Sequence, residues 1–203
     1  MSYALYVTHP QVVEDPAVPA PRWRLSERGR ARAEQFANHP LVRRARRFVS
    51  SPETKALELA VILAAASGVA VESGDNFAEN DRTSTGYVDA GRFGQLIEAF
   101  YAAPADPPSG WESAAAAQRR VAKAFEAALV GHDPAEPLVF TGHGAVGTLL
   151  KCHLGHRAVA RSEDQRVMAD PGGGNVFVVR LSDRTLLTDW MAMEDTPAAI
   201  PGL

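Results

Sequence analysis

The 203-residue chain is 46% hydrophobic and 22% charged, enough apolar material for one sizeable core, and it reads as a single domain over residues 1–203. A net charge of −3 gives no global attraction to nucleic acid, and the longest apolar stretch, residues 60–71, is broken by Ser67 and Gly68 and too short to span a bilayer. Cys152 is the only cysteine, so no intramolecular disulfide forms; with no secretory leader visible, a cytoplasmic protein is expected.

The chain opens on Tyr3-Ala4-Leu5-Tyr6-Val7, uncharged and rich in β-formers, which predicts a strand buried on both faces of a parallel sheet. Thr8-His9-Pro10 ends it, and a loop carrying Pro16, Pro19 and Pro21 follows. Ser26 is the expected N-cap of a helix over 27–38, with Glu27 against the positive end of its dipole. Arg47-Phe48-Val49-Ser50 predicts a second strand. Ser51 then caps a helix with Pro52 at its first position, Glu53 in its first turn and Gly68 at its close. Residues 69–72 suit a third strand, and a polar loop around Glu79-Asn80-Asp81-Arg82 leads to two helices, 90–102 and 111–130. Residues 137–141 predict another buried strand ending at Gly142-His143-Gly144, followed by a helix to about residue 154. Gly172-Gly173-Gly174 precedes a strand rather than a Lys-Ser/Thr and a helix, so it reads as a flexible lead into a final hairpin, not as a phosphate loop. The hairpin is expected from 175–181 and 185–190 around Ser182-Asp183-Arg184. Strands alternating with helices predict an α/β fold, a three-layer α/β/α sandwich on a mainly parallel sheet.

Several features invite functional readings. Nine arginines lie between Arg22 and Arg47 against Glu27 and Glu34 alone; they read as a solvated helix face and a basic turn, with attraction of an anionic substrate as the alternative. Cys152, inside Leu149-Leu150-Lys151-Cys152-His153-Leu154, reads as a buried structural thiol, a catalytic thiol beside His153 being the other option. No carboxylate or thiolate pattern accompanies His143, His153 and His156, and no metal site is expected. In open α/β sheets ligands gather at the carboxyl ends of strands. His9 and His143 sit at two such ends, each followed by a turn residue, Pro10 or Gly144. One strand-end histidine is usually a structural hydrogen-bonder; two at equivalent ends mark a candidate site.

At these residues the chain resembles the histidine phosphatase (phosphoglycerate-mutase-like) superfamily. Leu5-Tyr6-Val7-Thr8-His9-Pro10-Gln11 is similar to the family's opening strand and Arg-His-Gly-(Glu/Gln) motif. Leu25-Ser26-Glu27-Arg28-Gly29-Arg30-Ala31 resembles its Leu-Thr-Glu-Arg-Gly-x-Ala helix start, and Ser50-Ser51-Pro52-Glu53-Thr54-Lys55-Ala56 its Ser-Ser-Pro-x-x-Arg-Ala segment. Phe77-Ala78-Glu79 falls where the family carries its acid, and Gly142-His143-Gly144 matches its second histidine. The resemblance implies that His9 is the nucleophile, that Glu79 protonates the leaving oxygen, and that His143 and neighbouring N–H groups hold the phosphoryl oxygens. No cofactor is implied, and the partner is a small phosphorylated substrate.

Thr8 and Lys55 depart from that pattern, standing where the family has arginines, and neither reproduces a bidentate guanidinium fork. Pro10 lacks the N–H of the family's glycine. With 18 arginines and three lysines in the chain, Lys55 reflects no general preference for lysine. Arg22, Arg24 and Arg82 are candidate replacements, Arg82 first because it lies three residues beyond Glu79. The expected phosphate contacts are Thr8, Lys55, Arg82, Gln11 and Gly144. Two functions follow: a phosphatase working through phosphorylated His9, or a catalytically weak relative that binds a phosphorylated or other anionic ligand. A mutase must retain its substrate between two transfers, and no closing lid is legible. Substrate specificity is expected in residues 80–110 and 157–174.

Overall fold

The computed structural model describes residues 2–202. The opening apolar run forms β1 (Tyr3–Thr8), buried throughout. It is followed by β2 (Arg47–Ser50), β3 (Val71–Ser73), β4 (Leu138–Gly142), β5 (Asn175–Arg180) and β6 (Met191–Ala192). They form one sheet in the order β3-β2-β4-β1-β5-β6. β3, β2, β4 and β1 are mutually parallel, whereas β5 is antiparallel to β1 and β6 to β5. The sheet is therefore mainly parallel with an antiparallel edge. Its centre is the β1–β4 pair, in which Tyr6 faces Phe140 and Thr8 faces Gly142. The residues that follow these strands, His9 and His143, thus emerge side by side at the carboxyl edge.

Side chains alternate between the two faces of a strand, and β1 divides the core accordingly. Leu5 and Val7 pack with Phe36, Leu41, Leu59 and Leu63, carried on α1 (Glu27–Phe36), α2 (Pro40–Arg43) and α3 (Thr54–Ala65). Tyr6 faces the other way, among residues of α4 (Ala90–Ala102), α5 (Ala114–Leu129) and α6 (Gly144–Leu154) that include Phe100, Phe125 and Leu149. These are the three layers. The four-residue α7 (Gln165–Met168) is not signalled by the sequence pattern. No helix is long and apolar enough to cross a membrane.

Ser26 caps α1, its Oγ accepting the Gly29 N–H at 3.0 Å. Other expectations need correction. α3 begins at Thr54 with Glu53 as N-cap, because the Ser51 hydroxyl accepts the Glu53 N–H (3.2 Å) and closes a turn before the helix starts. Pro52 is accordingly outside the helix. The glycine run before β5 is pinned rather than flexible: Gly174 N–H donates to the His9 carbonyl at 3.1 Å, and Arg32 donates to the Gly173 carbonyl at 2.9 Å. Positive φ at Gly173 (80°) and Gly174 (68°) makes that turn. The final hairpin is interrupted: residue 186 meets Val179 in an isolated bridge, and the Thr188 hydroxyl accepts the Val178 N–H (3.0 Å), so the ladder resumes only at β6.

Candidate active site

The His9 backbone is clamped from both neighbouring strands. Its N–H donates to the Gly142 carbonyl at 3.0 Å, and its own carbonyl accepts the Gly174 N–H. The ring is half-buried, with Nδ1 3.0 Å from the Pro10 carbonyl. A carbonyl can only accept, so Nδ1 carries the proton and the Nε2 lone pair is left free. The His143 ring stands edge-on to it, centroids 5.3 Å apart at 68°. His143 is the N-cap residue of α6 and is fully buried. Tyr6 fixes it from beneath: the hydroxyl accepts the His143 N–H (3.2 Å) and donates to the His143 carbonyl (3.3 Å). A side chain at Gly142 would collide with that hydroxyl, which explains the glycine before the histidine. The His143 Nε2 lies 2.7 Å from Ser51 Oγ, while Nδ1 has no partner among the described residues.

Burial, with the charges of His143 and Lys55, pushes His9 down to about 3, against the Pro10 carbonyl and Glu79. Burial likewise takes His143 to about 3, outweighing the attraction of Glu53. Both rings are neutral at neutral pH. A histidine whose folded value lies below its ordinary 6.5 takes up its proton more readily when unfolded. The contribution is fully present above pH 6.5 and is lost as pH falls towards the folded values. Thermal unfolding is therefore expected to show Tm falling between pH 6.5 and 4.5, with His39, also lowered by burial, adding to the same slope. His143→Gln should flatten this limb; an unchanged slope in that variant would mean that His143 is exposed to protonation in the folded state.

A buried ion pair lies against His143. Lys55 Nζ is 2.5 Å from Glu53 Oε2 and donates to the Ala20 carbonyl at 2.8 Å. Glu53 Oε1 accepts the Glu79 N–H (2.9 Å) and lies 3.5 Å from His143 Nε2. Burial opposes the Glu53 charge, but His143, Lys55 and the Glu79 N–H outweigh it and hold Glu53 at about 2. The expected cation is present, then, already neutralised by a carboxylate read from sequence only as a helix-dipole charge.

Glu79 lies in the loop before α4 and caps α6 from outside. Its Oε1 accepts the N–H groups of Asn80 and Val146, both at 3.1 Å, and its Oε2 the Ala145 N–H at 3.3 Å. Arg120 steadies the loop by donating to the carbonyls of Asn76, Ala78 and Glu79 while paired with Glu112 at 2.6 Å.

The remaining expected phosphate contacts are placed differently. Thr8 is fully buried and its hydroxyl is bonded to Gln165 (2.7 Å) and Asn175, so it turns away from an anion. Gln11 Oε1 accepts from Arg32 at 3.0 Å, tying it to the glycine turn instead. Arg82 stacks on Phe93 and Trp111, 5.2 and 5.7 Å from their centroids, and Arg166 lies 5.4 Å from Phe93. Among the described residues neither guanidinium has a carboxylate within 4 Å. Arg82 contributes to lowering His143. Of the nine arginines between Arg22 and Arg47 only Arg32 is buried, paired with Glu194 at 2.5 Å. Cys152 is buried and its thiol pushed up to about 11 by burial, which suits packing and not nucleophilic chemistry. Among the described residues no three His, Cys, Asp or Glu side chains gather as a metal site.

A mainly parallel sheet flanked by helices, with two facing histidines at its carboxyl edge, is the architecture of phosphoglycerate-mutase-like α/β proteins. The chain belongs to the histidine phosphatase superfamily, branch 1, whose model matches residues 17–187 and so begins beyond Thr8-His9-Pro10. No curated protein matches it by sequence. Among solved structures, a mycobacterial glucosyl-3-phosphoglycerate phosphatase with inorganic phosphate is 20% identical, with a TM-score of 0.74 over 97% of this chain and 100% of that one. Bacillus stearothermophilus YhfR is 16% identical, TM-score 0.73, over 92% and 94%. A phosphoserine phosphatase from Entamoeba histolytica in complex with 3-phosphoglyceric acid is 14% identical, TM-score 0.73, over 93% and 96%. At these identities the likeness is one of fold.

Proposed function

We propose that the chain acts as a single-domain, cofactor-independent phosphatase that hydrolyses a small phosphoester through a phosphohistidine at His9. The observation that carries this reading is the facing pair of neutral imidazoles, with the His9 Nε2 lone pair uncommitted. In the first step Nε2 bonds to phosphorus as the ester P–O bond breaks, and the departing oxygen takes a proton. Glu79 Oε2, which meets a single N–H at 3.3 Å, has the capacity to carry that proton. Water then attacks phosphorus, the P–N bond breaks and inorganic phosphate leaves. The Gly144 N–H at the start of α6 and the unpartnered His143 Nδ1 suit the developing charge on the phosphoryl oxygens.

Substrate selection is assigned to the rim where residues 80–110 and 157–174 meet, through Arg82 and Arg166 on the two segments and Phe93 between them. Two free guanidiniums there suit a substrate with a second anionic group. A single cysteine, with no intramolecular partner to pair with, agrees with a cytoplasmic setting. A second reading, an anion-binding relative with little turnover, is favoured by the Glu53–Lys55 pair, which neutralises the lysine that the phosphate site was expected to use.

The experiment is a panel of phosphorylated small molecules, with phosphoserine, phosphoglycerates and glycosylated phosphoglycerates first because the structural neighbours name them. Phosphate release together with an acid-labile, base-stable phosphoenzyme trapped on quenching is the expected result. Release without that species would remove the phosphohistidine, and binding without release would establish the second reading.

A further inference from the structure

Gln165 is 6% exposed and belongs to a buried network whose proton directions follow from its partners. Asn175 is oriented by Asp170: its Oδ1 accepts the Asp170 N–H (3.0 Å) and its Nδ2 donates to the Asp170 carbonyl (2.8 Å). The second Nδ2 proton therefore goes to the Gln165 oxygen, 2.8 Å away. Thr8 Oγ1 accepts the Asn175 N–H (2.9 Å) and directs its own proton chiefly to Gln165 Oε1, at 2.7 Å, the Asn175 carbonyl lying farther off at 3.4 Å. Two donors fix the amide oxygen inward and leave the NH₂ group facing the other way. Among the described residues no acceptor lies within hydrogen-bond distance of that nitrogen, so its N–H groups are open to a ligand. It sits against Gly144, where a Cβ would collide with it, at the start of the helix that follows His143.

We propose that the Gln165 side-chain Nε2 is a substrate-contacting donor to the phosphoryl group, held in place by Thr8 and Asn175. Thr8 then has a positioning role: its hydroxyl aims an amide borrowed from α7 into the space that a long side chain at position 8 would otherwise reach. Gly144 is required for room as much as for its N–H. The proposal rests on the phosphatase reading for the identity of the ligand, and the amide's neutrality distinguishes it from a guanidinium clamp. A neutral donor binds a phosphoryl oxygen without adding charge, which suits a site whose one lysine is already paired.

The test uses inorganic phosphate as the probe, by calorimetry on the whole chain, beside steady-state hydrolysis of an aryl phosphate. Gln165→Glu keeps an oxygen for Thr8 and Asn175 but replaces the donor by an acceptor. Gln165→Leu removes the donor without adding charge. Both are expected to weaken phosphate binding about tenfold or more, with circular dichroism confirming that each variant is folded. Adding Thr8→Arg to Gln165→Leu should recover part of the loss, an arginine growing into the vacated volume. Wild-type phosphate affinity in Gln165→Glu, or in a folded Gln165→Leu, overturns the proposal while leaving phosphoester hydrolysis untouched. Gln165-dependent phosphate binding without turnover keeps the proposal and overturns the phosphatase reading. No phosphate binding by the wild type would falsify both.

Discussion

His9→Ala is expected to lower kcat for phosphoester hydrolysis by on the order of a thousandfold or more, with no trapped phosphoenzyme and Tm close to wild type. The size follows from the role. An alanine offers no lone pair, so the two-step route closes and only binding and electrostatic help from the rest of the site remain. The fold should tolerate the change because His9 is secured through its backbone, by Gly142 and Gly174, and its ring adds one hydrogen bond to the adjacent Pro10 and an edge contact with His143. Quenched-flow trapping beside steady-state phosphate release checks it. A variant that keeps most of its turnover would transfer the nucleophile's role elsewhere, and His143, with its Nε2 occupied by Ser51 at 2.7 Å, is poorly arranged to take it.

What could be read from sequence depended on whether the signal was local. β1 and β4 announce themselves as short uncharged apolar runs and α1 by its Ser26 cap; these elements and α4, expected over 90–102, lie within one or two residues of expectation. The two histidines follow from the strand ends that carry them. Gln165 could not be found this way. Its partner Thr8 is 157 residues distant, and it sits in a single helical turn bearing no periodicity. Glu53 fails for a subtler reason. Residues two apart on a helix do not face each other, so a Glu53–Lys55 pair is not foreseen while both are placed inside the helix. It forms because Glu53 is the N-cap residue, extended at φ −70° and ψ 139°, and turns its side chain back towards Lys55 and Glu79.

With Lys55 taken as a phosphate contact, Glu53→Gln is expected to raise affinity for inorganic phosphate about tenfold or more while lowering Tm in phosphate-free buffer. Lys55 and Glu53 have side chains only 5% and 10% exposed. Removing one partner of such a pair leaves an uncompensated charge, at a cost of about 3–5 kcal/mol in buried cases. Glutamine preserves the shape, and with its oxygen accepting the Glu79 N–H its NH₂ faces Lys55, which thereby loses both a counter-charge and an acceptor. A phosphate dianion is then the available counter-ion, and added phosphate should restore Tm in Glu53→Gln by more than it raises the wild type's. The same geometry predicts that Lys55→Arg alone gains little, because Glu53 captures the guanidinium as it captures the ammonium. In the Glu53→Gln background the arginine fork is free to grip two phosphoryl oxygens, and the double variant should exceed the sum of the single ones. Calorimetry and thermal unfolding across a phosphate series read all four proteins. If Glu53→Gln loses stability that phosphate does not return, and binds phosphate no better than wild type, Lys55 lies outside the phosphoryl site and its ion pair serves only to hold α3 against the Glu79 loop.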